Sequence, residues 1–243
     1  MDEMERVFRW AWYHDFGTTP EQSLERLKGR VIPGYGRDCD LSTSHFEMSI
    51  EQLLTNFSRD IINQGQANNI DARAIAGAIT WEYEENLRGR ISDYFQSNKY
   101  GKGQMLFGQG MGWGSIHTAE VKKIRPNASD WRLQCLRMEA ASAIKLVAEI
   151  MNTRANQYYE ASGGIWIRNA PAVLAMFFNA SEEFLLRSAA NRKLDACEPG
   201  KVVTLTVSEN PMATWVQNNL DRFSAFLTTP SPPAGFYATV QTQ

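Results

Sequence analysis

Residues 71–88, Asp-Ala-Arg-Ala-Ile-Ala-Gly-Ala-Ile-Thr-Trp-Glu-Tyr-Glu-Glu-Asn-Leu-Arg, leave the backbone little choice. Asp71 is a good N-cap and Gly89 can take the left-handed conformation that closes a helix, so the pattern predicts a helix from Asp71 to Arg88. At about 100° per residue, Ala72, Ile75, Ile79, Tyr83 and Asn86 fall on one stripe that must be covered by other elements. Glu82 lies on the flank of that stripe, while Glu84 and Glu85 point away from it. Ionising a carboxyl beside a buried face is costly, so its pKa should rise, as a general acid working near neutrality requires. Glu82 is therefore the first catalytic candidate. The plain alternative is a surface or salt-bridged Glu at the edge of an amphipathic helix.

Around this segment the chain reads as mainly α. Thr19-Pro20-Glu21 opens a short helix within an N-terminal helical extension, residues 1–44. His14-Asp15 in that extension is no dyad, because adjacent helical residues do not face each other. Ser44 with Glu47 resembles a capping box, opening a helix with Ile50, Leu53, Leu54, Phe57 and Ile61 on its apolar face and an end near Gly65. A long helical pattern from Asn127 to Ser162 carries Leu133, Leu136, Ala140, Ile144, Val147 and Met151 and is expected to be the central core helix. Asn169 caps a short apolar helix, Ala170 to Phe178, and Ser181 starts another. The small β element is expected at Val202–Val207, and Asn210-Pro211 begins the last helix. A Pro-rich tail, residues 229–243, is expected to be extended and loosely held.

The run from Lys99 to Val121 is different. Six glycines between Gly101 and Gly114 cannot be helix interior, and they would let the backbone and Trp113 approach a ligand closely. It is no nucleotide loop, since the preceding strand and the following Lys-Ser/Thr of a phosphate cradle are missing. A glycine-rich hairpin with a purely structural use remains the alternative.

Composition excludes several classes. With 43% hydrophobic and 21% charged residues the chain is ordinary globular material, long enough for one large core. A formal charge of −2 and the lack of a Lys/Arg block offer nothing to a phosphate backbone, so nucleic acid is not an expected partner. Cys39, Cys135 and Cys197 lack metal or redox spacing and read as buried or idle thiols; no metal and no cofactor is expected. The acidic start, Met-Asp-Glu-Met-Glu-Arg, does not read as a signal peptide, and no apolar run approaches a membrane span, so cytoplasmic synthesis is expected.

Three segments together resemble the lysozyme-like superfamily of peptidoglycan-cleaving enzymes, the lytic transglycosylases and muramidases. Ala76-Gly-Ala-Ile-Thr-Trp-Glu82 looks like that family's helix ending in its catalytic glutamate. Gly110-Met-Gly-Trp-Gly-Ser-Ile-His-Thr118-Ala119 is similar to its glycine-containing stretch closing with Thr-Ala. Pro171-Ala-Val-Leu-Ala-Met-Phe-Phe178-Asn179 resembles its short helix ending in Tyr-Asn, which lines the sugar cleft. The glutamine usual in the second segment is replaced, with Trp113 or Ser115 nearest its place, and Phe178 stands where Tyr is usual.

The resemblance implies a lysozyme-like catalytic domain over residues 45–228, Glu82 as catalytic acid, and Trp113, Ser115, Phe178 and Asn179 as substrate-binding residues. Trp113 would stand in the cleft wall, against a sugar ring or against Glu82. The implied reaction is cleavage of peptidoglycan glycan strands by one Glu acting as acid and then base, with water or an internal hydroxyl as nucleophile. Asp93 and Glu120 are the sequence-near options for a second carboxylate. Without a signal peptide such an enzyme would reach the periplasm or cell wall by phage-type lysis or by a specialised secretion machine. The second route implies an antibacterial effector and a cognate immunity protein in the producing cell. The rival expectation is a non-catalytic helical binding or structural module on a lysozyme-like scaffold.

Overall fold

A computed structural model of the chain describes residues 40–45, 47–86, 110–192, 203–205, 207, 210–231 and 240–242. The extension up to residue 39, Gly89, Asp93 and the glycines before Gly110 lie outside the described residues.

The described part is mainly helical. A 3-10 turn, Leu41–Thr43, leads to α1 (Ile50–Asn56), α2 (Ser58–Ala67) and α3 (Ala72–Glu84). The hairpin β1 (Gly110–Met111) and β2 (Ile116–His117) is followed by α4 (Thr118–Ile124), α5 (Asp130–Met138), α6 (Ala140–Ser162), α7 (Pro171–Asn179) and α8 (Glu182–Arg192). Strand β3 (Val203–Leu205), α9 (Pro211–Asn218), a 3-10 stretch Leu220–Phe226 and β4 (Val240–Thr242) complete it. Among the described residues no helix is long and apolar enough to cross a membrane.

Helix α3 is the buried axis of the fold. Ala72, Ala74, Ile75, Ala76, Ala78, Ile79 and Thr80 are all fully buried, and α3 packs against α2, α7 and α9. Its start is fixed as the sequence predicts: the Asp71 carboxylate accepts from the Arg73 N–H and pairs with the Arg73 guanidinium at 2.7 Å. The Thr228 hydroxyl accepts from the Ala72 N–H and donates to the Ile70 carbonyl, both at 2.9 Å. The far end stops four residues early, at Glu84 rather than Arg88, with Glu85 as C-cap. This places Glu82 in the last turn.

Several boundaries differ from the sequence reading. The capping box is Ser49 with Gln52, each accepting from the other's backbone N–H, and not Ser44 with Glu47. The helix expected to run on to Gly65 breaks at Phe57. The pattern over 127–162 is two helices parted at Glu139, whose backbone is extended. Helix α7 is capped at Ala170, not Asn169, whereas Asn210 caps α9 as expected, accepting from Ala213 N–H at 2.9 Å. The tail is not wholly loose, since Val240–Thr242 pairs in parallel with Val203–Leu205. Cys135 is buried and disulfide-bonded rather than an idle thiol; its partner lies outside the described residues.

Candidate active site

Glu82 sits at the wall of a cleft of about 270 Å³. Helix α3 brings Trp81 and Glu82, with Asn86 just beyond its end; the hairpin brings Gly114, Ser115, Ile116 and His117; α4 brings Glu120, α6 Ile150, and α7 Phe178 and Asn179. Five elements thus converge on one carboxyl.

The hairpin reaches that place through its glycines. Gly112 has φ +78°, and a Cβ there would run into the Arg137 carbonyl. At Gly114 a Cβ would come within 2.7 Å of Val147 on α6, so the missing side chain is what allows the loop to lie against that helix. Arg137, itself 1% exposed, anchors the hairpin: its Nη1 donates to the Ile116 carbonyl at 3.0 Å and its own carbonyl accepts from Trp113 N–H at 3.3 Å. The loop ends on Ser115, a non-glycine residue with φ +47°, whose hydroxyl donates to the Glu82 carboxylate.

Glu82 is 7% exposed. Burial pushes its pKa up to about 7, and hydrogen bonds from Asn86 and Ser115 pull the other way by favouring the charged form. Asn86 Nδ2 donates to Oε2 at 2.7 Å, and Asn179 Nδ2 lies 3.5 Å from Oε1. The resulting group is half-protonated near neutrality and holds its proton inside a cleft, which is the state from which a carboxyl can give a proton and later take one back.

Of the residues expected to meet the substrate, the fold brings Ser115, Phe178 and Asn179 to Glu82. Trp113 it does not, and this expectation is corrected. Trp113 is 1% exposed, stacks on Tyr83 with ring centroids 5.6 Å apart, and donates its indole N–H to the Thr43 carbonyl at 2.8 Å. Its bulk is satisfied in the core, behind the loop rather than in the cleft. Asp93 lies outside the described residues, while Glu120 does line the cleft, ion-paired with Lys123 at 3.1 Å and Arg154 at 3.4 Å. Asn86 and His117 were not anticipated as site residues. The signal for Asn86 was its i+4 spacing from Glu82, which places the two side chains one helical turn apart. Among the described residues no group of three or more His, Cys, Asp or Glu could hold a metal ion.

Compared with family models, with curated proteins and with solved structures, the chain matches none of them.

Proposed function

We propose that the chain cleaves the glycan strands of peptidoglycan, as a muramidase or a lytic transglycosylase, on a lysozyme-like fold with Glu82 as general acid and base. The observation that carries this reading is the buried Glu82 carboxyl, with a pKa of about 7, at a cleft wall among hydroxyl and amide groups from three other positions, Ser115, Asn86 and Asn179. A glycosidic oxygen leaves poorly unless protonated, and a neutral Glu82 supplies the proton as the carbon–oxygen bond breaks. The carboxylate then takes a proton from the nucleophile, which is water in hydrolysis or the sugar's own hydroxyl in formation of an anhydro sugar. Trp81 and Phe178 offer apolar ring surface to a sugar face, and His117 and Asn179 offer polar groups to its hydroxyls.

The same reading makes the protein an antibacterial toxin acting in the periplasm or cell wall, delivered by a secretion machine and neutralised in the producing cell by an immunity protein. A disulfide at Cys135 supports action in an oxidising compartment. The deciding experiment is turbidity loss of purified peptidoglycan by wild type and Glu82→Gln. A loss of at least ~10²-fold is expected, the scale of a missing general acid, with wild-type activity falling as pH rises past about 7 because the acid form is then depleted. Mass analysis of the released sugars separates anhydro products from reducing ends. Equal clearing by both proteins would remove Glu82 from the chemistry.

A further inference from the structure

The two asparagines that reach Glu82 hold its two oxygens unequally. Oε2 accepts a 2.7 Å hydrogen bond from Asn86 Nδ2, while Oε1 has Asn179 Nδ2 at 3.5 Å, the outer limit of a hydrogen bond. An amide nitrogen donates and cannot accept, whereas the Ser115 hydroxyl can do either, so a neutral carboxyl keeps its hydrogen off the oxygen that Asn86 binds. We propose that Asn86 is a positioning residue that gives the two Glu82 oxygens separate tasks, with Oε2 a fixed acceptor and Oε1, on the Asn179 side, the atom that releases and recovers the proton.

The inference rests on the catalytic reading of Glu82 and refines it. In the forward step the hydrogen leaves Oε1 for the glycosidic oxygen, the bond to the anomeric carbon breaks, and its electron pair stays on the departing oxygen. The negative charge left on Glu82 is met by the Asn86 N–H and the Ser115 hydroxyl. When the nucleophile's oxygen adds to the anomeric carbon, its proton returns to Oε1 and the carboxyl is neutral again. Asn179, with only a 3.5 Å contact to Oε1, is left to bond the sugar oxygen that approaches there.

Among the described residues, two other titratable groups line the cleft beside Glu82. His117 lines the cleft from β2, and Glu120 from α4 is ion-paired with Lys123 and Arg154. Helices α6 and α7 contribute the neutral Ile150, Phe178 and Asn179. Comparing Asn86→Ala with Asn86→Asp separates loss of the N–H donor from the addition of a charge.

The test is the titration of Glu82 followed by carbon NMR of carboxyl-labelled protein, in wild type, Asn86→Ala and Asn86→Asp, beside the pH profile of peptidoglycan clearing. Removing the donor in Asn86→Ala should raise the Glu82 pKa by on the order of one pH unit. Clearing should slow about ten-fold or more, because the reacting oxygen is no longer oriented. Asn86→Asp has the same shape but no N–H, and adds a like charge, so it should raise the pKa further. A Glu82 titration that is unmoved in both variants overturns the proposal, as does a lowered one in Asn86→Ala, which would make Asn86 the acceptor of the proton. An upward shift with no clearing by the wild type overturns the catalytic reading and leaves the division between the oxygens standing.

Discussion

Glu82→Gln should make the folded protein more stable, and by an amount that depends on pH. The folded state holds the Glu82 pKa at about 7, above its ordinary 4.5, because burial disfavours the charged form. Between those two pH values the native state binds more protons than the unfolded state, so this group's contribution to stability is fully present below pH 4.5 and is lost as pH rises through 7. At about 1.4 kcal/mol per pH unit the full loss is roughly 3 kcal/mol. Gln keeps the size of Glu and cannot ionise, so it escapes that loss. For a chain of this length 1 kcal/mol moves the melting temperature by roughly 2–4 °C. The variant should therefore melt several degrees above wild type at pH 8, and the gap should close by pH 4.5. Scanning calorimetry of both proteins at half-unit pH steps isolates the effect, because all other titrations are shared. A melting gap that stays constant from pH 4.5 to 8 would mean that Glu82 ionises as an exposed carboxyl does, and the acid assigned here would have no raised pKa to work with.

Two further outcomes are expected. Trp113→Ala should cost about 3–5 kcal/mol of folding free energy, as removal of a large buried ring does, because the indole is 1% exposed, stacked on Tyr83 and bonded to Thr43; a variant that melts like wild type but clears peptidoglycan poorly would return Trp113 to the cleft. Expressed in the bacterial cytosol the protein should be tolerated, and with an added signal peptide it should lyse the cell from the periplasm; equal toxicity in both compartments would refute the peptidoglycan target.

What the sequence made legible was periodic or capped. The Asp71 cap and the phase of Glu82 follow from side-chain types at fixed spacing, and both are found in the fold. The helix breaks were hidden because the apolar rhythm continues through them. Phe57 still packs on the core where α1 ends and α2 begins. Glu139 turns the chain between α5 and α6 with its carboxylate accepting from Asp40 N–H at 3.0 Å and from the Ser142 hydroxyl at 2.9 Å. A partner 99 residues away leaves no local pattern. Trp113 was misassigned for a related reason. Glycines on both sides of an aromatic ring allow close approach to a ligand, but here the close approach is to Arg137 and α6, and it drives the ring inward.

Two departures from ordinary folding rules meet in the cleft, and their coincidence is the strongest internal argument for function. A carboxyl is buried, and among the described residues only neutral donors reach it to offset its desolvation. Beside it Ser115 holds a left-handed backbone, which costs a residue with a side chain something of the order of 1–2 kcal/mol. The other non-glycine residue of positive φ among those described is Asn69, a type that adopts this conformation readily, and its amide is tied in both directions to Ser231. Asn69 closes one turn and Ser115 closes the hairpin turn, its N–H donating to the Gly112 carbonyl at 3.0 Å, in a position where glycine is the usual residue. A glycine at position 115 would relieve the strain and a glutamine at 82 the desolvation, each by one residue change and neither with loss of packing volume at Glu82. Ser115 and Glu82 side by side fit the proposed site, whose acid must hold its proton weakly.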